Sequence, residues 1–355
     1  MGGRGRPSPA SRLPQETQQV TGGVRCSGWR ASGVGRRASD KGQQRPYPHL
    51  VRLLIAGSSG LIGTALTASL ERDGIEVRRL TRPESRVPGI PWDPASGKIP
   101  ADALDGVDAV VNLAGRGIGE KRWSEGENRL LMESRTAPTR LLAEAVAARP
   151  QAQVLLNASA IGFYGDGGDR ILDEGASPGR GPLAELCVAW EAATAAAAQA
   201  GSRVVLLRSG IVLSTAGGAL GRLLAPFGPR WLSPYRWGLG GVVGRGTQYW
   251  SWITLHDEVR AIRHLLSSSL AGPVNLVSPN PVTHREFVKA LGRALHRPTV
   301  MPIPRFVLRL VLGGALADAL VLDGQRVVPS RLRSDGFRWN DIDLDAALGA
   351  ALARP

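Results

Sequence analysis

The sequence predicts an α/β fold in which a parallel sheet is covered by helices on both faces. Three observations carry this. Short apolar segments alternate with helix-period segments from residue 51 to about 210, and a glycine-rich turn directly follows the first of them. The chain has 355 residues, 43% of them hydrophobic, enough for one large core and a smaller appendage.

Residues 51–56 (Val-Arg-Leu-Leu-Ile-Ala) read as a buried strand, and about 61–72 as a helix. Strands are expected at 75–80, 108–112, 154–159 and 203–208, with helices near 127–148 and 183–200 between them. After Ser214 the alternation stops. Gly- and Trp-rich loops follow, then an apolar run at 274–277 and helices opening near Thr283 and Pro304. The expected division is a tail over 1–49, a dinucleotide-binding domain over 51–270 and a small C-terminal substrate or lid region over 271–355.

Gly57, Gly60 and Gly63 form Gly-x-x-Gly-x-x-Gly between the first strand and the first helix. The first glycine permits the tight turn, the second admits a pyrophosphate close to the backbone, and the third lets the helix pack on the strand. The helix N-terminus supplies free amides and a positive dipole. In this context the sheet is predicted to be a Rossmann-type doubly wound one, with Gly57, Ser58, Ser59, Gly60, Leu61, Ile62 and Gly63 as cofactor contacts. Strand two ends at Leu80-Thr81-Arg82 without the acid that usually binds a ribose 2′-hydroxyl, and Arg82 can pair with a 2′-phosphate. NADP is therefore expected over NAD; an ordinary solvated arginine is the alternative at residue 82. Arg135, on the long helix after Asn112-Leu113-Ala114-Gly115, either reaches the cofactor or lies on the surface.

The net charge of +14 is unevenly placed. Residues 1–49 hold nine Lys or Arg against Glu16 and Asp40, half of the excess in a seventh of the chain. That segment has no apolar period and is expected to be a disordered tail or an over-extended start; a transit leader is disfavoured because no amphipathic pattern is present. The remaining charge is spread thinly, so no nucleic-acid role is expected. No stretch is long and apolar enough for a membrane span. Two cysteines make no disulfide framework, which favours a cytoplasmic location, and the five histidines show no zinc-ligand spacing, so no metal is expected. Oligomeric state is not legible.

The motifs fall in the order of a known family. Gly57–Gly63, Asn112-Leu-Ala-Gly115, Arg122-Trp123, Ser134-Arg135, Ser159-Ala-Ile-Gly-Phe-Tyr-Gly-Asp166 and Trp190-Glu191 are followed by Arg208-Ser-Gly-Ile-Val-Leu213, Gly238-Leu-Gly-Gly241, Trp252-Ile253 and Pro279-Asn-Pro281. Over about 51–350 the chain resembles the epimerase-family branch of the atypical short-chain dehydrogenase/reductases. That branch carries a C-terminal domain of unknown function, and its members are often described as nucleoside-diphosphate-sugar epimerases. The resemblance implies NADP binding, with Thr81, Arg82, Leu113, Ala114, Arg135 and Val212 as further contacts. Relative to the family pattern, 228–237 is an insertion, and His256-Asp257 stands where an acidic pair is expected.

Classical members use Tyr-x-x-x-Lys, in which the lysine lowers the tyrosine pKa for proton exchange. Residues four beyond Tyr47, Tyr164, Tyr235 and Tyr249 are Val51, Gly168, Leu239 and Ile253, so the pair is absent. Counting back from Glu191 puts its two positions near Leu183 and Cys187. By elimination Tyr164, just past a strand end, is the expected proton donor, with Ser159 holding the substrate oxygen. Counting from Tyr164 puts Ala160 on the usual serine spot, and a packing or lid tyrosine is the alternative role for Tyr164. The expected function is NADP-dependent oxidoreductase or epimerase action on a polar carbonyl or hydroxyl of a small molecule such as a nucleotide sugar. The alternative is a non-catalytic NADP-binding regulator.

Overall fold

The computed structural model describes residues 2, 52–119, 121–149, 154–225 and 233–353. The expected tail, Gly2 aside, and the 228–232 part of the insertion lie outside the described residues.

Seven parallel strands form the main sheet: β1 (Arg52–Ala56), β2 (Glu76–Thr81), β3 (Ile90–Pro91), β4 (Ala109–Asn112), β5 (Val154–Ala160), β7 (Arg203–Ser209) and β11 (Gly272–Leu276). Their spatial order is β11-β7-β5-β4-β1-β2-β3. The chain winds outward one way through β2 and β3, then returns to the other side of β1 to start β4. The topological switch therefore lies between β1 and β4, where open sheets of this kind have their binding crevice. The expected α/β, Rossmann-type doubly wound sheet is present. Strand β11, which follows residue 271, is its edge, so the sheet draws on both segments divided at residue 270 in the sequence.

The helices are α1 (Leu61–Arg72), α2 (Glu125–Ala147), α3 (Pro182–Ala192), α4 (Ala195–Gln199), α5 (Gly218–Leu224), α6 (Leu255–Ser267), α7 (His284–Leu295), α8 (Arg305–Leu312), α9 (Gly314–Ala317), α10 (Ser330–Ser334) and α11 (Leu344–Ala353). Alternate β1 residues face opposite layers. Leu53 and Ile55 pack with Leu66 and Leu70 of α1 and Ile262 and Leu265 of α6, while Leu54 and Ala56 join a cluster with Leu142 and Ala143 of α2. The helix expected over 183–200 is two, because the chain breaks at Thr194 between α3 and α4.

Caps follow the sequence. The Ser124 hydroxyl accepts from the Glu127 amide to open α2, Thr254 does the same for α6, and Thr283 with Glu286 forms a capping box on α7. Three short two-stranded ladders lie outside the main sheet: β8 (Ile211–Leu213) with β10 (Trp252–Thr254), β9 (Tyr249–Trp250) with β12 (Val282–Thr283), and β6 (Ile171–Leu172) with β13 (Arg326–Val327). No single segment here has the length or period to announce such pairs from sequence. Among the described residues, no helix is long and apolar enough to cross a membrane.

Candidate functional site: the crevice between β1 and β4

The glycine turn leaves β1 at the switch point. Gly57 sits at φ +79°, and a Cβ there would lie 2.5 Å from the Leu113 carbonyl carbon and oxygen at the end of β4. A Cβ on Gly63 would lie 2.2 Å from the Gly57 oxygen. The first and third glycines thus close the turn against β4 and against α1, as their spacing predicts. Gly60 is the N-cap of α1, with no side-chain cap and no acid in the first turn. The amides of that turn and the helix dipole are left for an anion. Ser58 is buried, and among the described residues its Oγ has no hydrogen-bond partner. An unpartnered buried hydroxyl in an uncapped glycine turn fits the pyrophosphate of a dinucleotide.

Around this cradle, Ser59 is exposed, and Leu61 lies beside Gly217 and Gly218 in the loop after β8, which brings Val212 to the same side. Leu113 and Ala114 are half-buried at the end of β4, where the Asn112 side chain accepts from the Ala114 amide at 3.1 Å. Thr81 ends β2, and Arg82 extends into solvent beyond it, 3.3 Å from Glu84. Glu84 is the acid nearest in sequence to the Arg82 guanidinium. Arg135 is not a surface residue. It is buried beneath Gly115, donates to the carbonyls of Leu131 and Arg116, lies 5.2 Å from the centre of the Trp190 ring, and leaves its Nε unpaired.

Ser159 and Tyr164 fall into one buried network. Ser159 Oγ donates to Glu191 at 2.6 Å, and Glu191 takes a bidentate pair of 2.8 Å bonds from Arg208. Arg208 also donates to the Tyr164 hydroxyl at 3.0 Å and stacks 3.4 Å from the centre of the Phe163 ring. The Tyr164 hydroxyl donates in turn to Asn275 Oδ1 at 2.7 Å. Tyr164 is 1% exposed, and burial raises its pKa above the usual tyrosine value, although Arg208 opposes the shift. Strand alternation puts Ser159 on the side of α3, as its bond to Glu191 shows, and turns Ala160 to the opposite side.

Leu183 and Cys187 both approach Gly162, in the turn just beyond Ala160. Burial, then the nearby Glu191 charge, pushes the Cys187 thiol up to about 12, so it stays protonated at neutral pH. The Glu191–Arg208 ion pair is not legible from the motifs that contain the two residues. The available signal was an acid and an arginine on two elements that flank the end of β5. His256 and Asp257 lie near Asp341, within 4.8 Å ligand atom to ligand atom. Asp257 is fully buried and accepts from the Asn340 and Asp341 amides, so it serves as an anchor for the chain there.

A seven-stranded doubly wound sheet with a glycine cradle at its switch point defines a dinucleotide-binding protein. The chain belongs to the NAD-dependent epimerase/dehydratase family, whose model matches residues 53–277, and a domain of unknown function, DUF1731, matches 303–351. It is 47% identical over 306 residues to Epimerase family protein Mb2239 of Mycobacterium bovis, covering 85% of this chain and 97% of that one. It is similar to the crystal structure of human epimerase family protein SDR39U1 with NADPH, with TM-score 0.75 and 34% identity over 86% of this chain and 100% of that one. It is also similar to a nucleoside-diphosphate sugar epimerase from Corynebacterium glutamicum, with TM-score 0.69 and 35% identity over 85% of this chain and 58% of that one.

Proposed function

We propose that the protein binds NADP(H) at the Gly57–Gly63 turn and exchanges hydride with a polar carbonyl or hydroxyl of a small substrate, a nucleotide sugar being the class that the Corynebacterium glutamicum relative's name suggests. The observation that carries the cofactor reading is the uncapped α1 turn with the unpartnered Ser58 hydroxyl inside it. NADP(H) is favoured because Arg82, exposed and held only by a solvent-facing pair with Glu84, stands just past the end of β2 where a 2′-phosphate would reach, and because the human relative is a complex with NADPH. When bound, the cofactor supplies the hydride; the chain supplies the amides of the α1 turn for the pyrophosphate and the Arg82 charge for the 2′-phosphate.

A charge-assisted contact of this kind favours NADPH over NADH by roughly tenfold or more. Calorimetric titration of the purified chain with each nucleotide measures this directly, and Arg82→Asp should erase or reverse the preference. Equal affinity of the unaltered chain for both nucleotides would remove the NADP reading.

The second reading, a cofactor-binding protein without turnover, is favoured by a specific observation. Counting from Glu191 and Tyr164 puts Leu183, Cys187 and Ala160 near the family's tyrosine, lysine and serine positions, and the Cys187 thiol, pushed up to about 12 by burial, stays protonated at neutral pH. Tyr164, nominated from sequence for that task with Ser159 beside it, would have to act from inside the core. We assign both to the framework instead, with protonation left to solvent or the substrate's own groups. Single-turnover oxidation of bound NADPH by carbonyl substrates separates the two readings.

A further inference from the structure

We propose that the face formed by the C-terminal end of α7, the 236–245 loop and α8 docks on the surface of an anionic phospholipid bilayer, without spanning it. The first observation is an inverted polarity. Along 237–240, Trp237 and Leu239 point out and are 66% and 57% exposed, while Gly238 and Gly240 are buried. Gly238 lies against Pro298, Gly241 lies against the Met301 main chain, and Val243 pairs with Ile303, so the 236–244 and 297–305 segments run side by side. The second segment adds Val300 at 79% and Met301 at 51% exposure. Just beyond it, Phe306 and Leu310 stand one turn apart on α8, more than two-thirds exposed. Isolated exposed apolar residues are ordinary; six on two joined segments and the helix that continues them mark an interaction surface.

The second observation is charge. Residues 233–246 and 284–312 together hold eight Lys or Arg against one acid, Glu286. Beside the apolar ledge, Lys289, Arg293, His296 and Arg297 line an open depression of about 550 Å³. Arg293 is neutralised by Asp345 and, on α8, Arg309 by Asp318. Among the described residues, neither Lys289 nor Arg297 forms an ion pair; Arg297 donates instead to the main-chain oxygens of Arg236 and His296. The backbone shape of this depression is fixed by close approach, since a Cβ on Gly292 would meet the Arg297 oxygen at 2.9 Å. Exposed Trp, Phe and aliphatic side chains flanked by uncompensated cations match a bilayer surface, where the apolar groups enter the acyl boundary and the cations meet lipid phosphates. A protein partner would not require cations in such excess, and a second copy of this chain would bring like charge against like.

The test is flotation of the full chain with phosphatidylcholine vesicles and with vesicles containing roughly a third phosphatidylglycerol. Binding is expected to the anionic vesicles alone and should fall as salt rises. The doubly substituted Val300→Asp, Phe306→Asp chain should lose it, and Lys289→Glu should weaken it by roughly fivefold or more. All three side chains are exposed, so unchanged melting temperatures would show that the fold survives. The Arg-rich residues 1–49 could bind anionic vesicles by charge alone. If both variants bind as the unaltered chain does, the tail is the lipid contact and the proposal is overturned. Absence of binding to anionic vesicles overturns it too, as does a lipid-free dimer in light scattering that the Val300→Asp, Phe306→Asp chain abolishes.

Discussion

At the residue scale, Ser58 and Tyr164 are informative because burial and hydrogen bonding disagree in one and agree in the other. Ser58 Oγ is buried without a partner, an arrangement that costs about 1–3 kcal/mol in the free protein. Ser58→Ala is therefore expected to leave the unliganded melting temperature unchanged or higher while weakening NADPH binding. Differential scanning fluorimetry with and without the nucleotide reads both effects, and a lower unliganded melting point would show that the hydroxyl is satisfied in solution. Tyr164 has its hydroxyl fully engaged by Asn275 and Arg208. Tyr164→Phe leaves the buried Asn275 oxygen without that donor and should lower stability by about 1–3 kcal/mol, with NADPH affinity retained. Denaturant unfolding measures the first and titration the second. Unchanged stability together with lost turnover would restore the tyrosine as a proton donor.

At the element scale, α6 carries an acid where the sheet edge is dry. Glu258 is fully buried beside the end of β7, takes one bond from Ser209 Oγ at 2.6 Å and leaves its second oxygen unpaired. Burial pushes its pKa up to about 8, against a partial opposing effect of the Ser209 bond. The folded state therefore keeps a proton that the unfolded chain releases above about pH 4.5, and stability falls with rising pH until about pH 8. His284 at the start of α7 acts with the opposite sign: burial lowers its pKa from 6.5 to about 4, so the unfolded chain takes up the proton first and stability rises with pH across that range. The two slopes oppose each other below pH 6.5. Above it Glu258 acts alone of the two, with a limiting slope of about 1.4 kcal/mol per pH unit. Glu258→Gln, which keeps an acceptor for Ser209, should flatten the stability profile between pH 6.5 and 8 and raise stability at pH 8. Urea unfolding midpoints across that range test it, and parallel profiles for the two chains would show that the carboxyl is ionised when folded.

At the scale of the whole molecule, every strand of the main sheet lies at or beyond Arg52. A chain lacking residues 1–49 is expected to keep the melting temperature and the NADPH affinity of the full chain. A clear fall in either would give the tail a structural part.

How much was legible follows from the same division of scales. The β1 run, the three glycines and the caps at Ser124 and Thr283 are local: each is fixed by residues a few positions apart, and a strand, a tight turn or a helix start has a short-range period or geometry that a sequence displays. The α/β class and the glycine turn between β1 and α1 were read from such signals. The break at Thr194 was not, because an alanine-rich run of good helix formers carries no stop signal. Nor was the fate of Tyr164 and Ser159. Position after a strand end places a residue near the crevice but does not say which way its side chain turns or what else arrives there. Glu191 comes from α3, Arg208 from β7 and Asn275 from β11, and only the packed sheet brings them together. The sequence by itself therefore determined the class of fold and the glycine turn that opens α1, since both rest on contacts near in the chain. The tertiary structure decided that the nominated tyrosine and serine are held in a buried ion-pair network, since that depends on contacts separated by up to 111 positions.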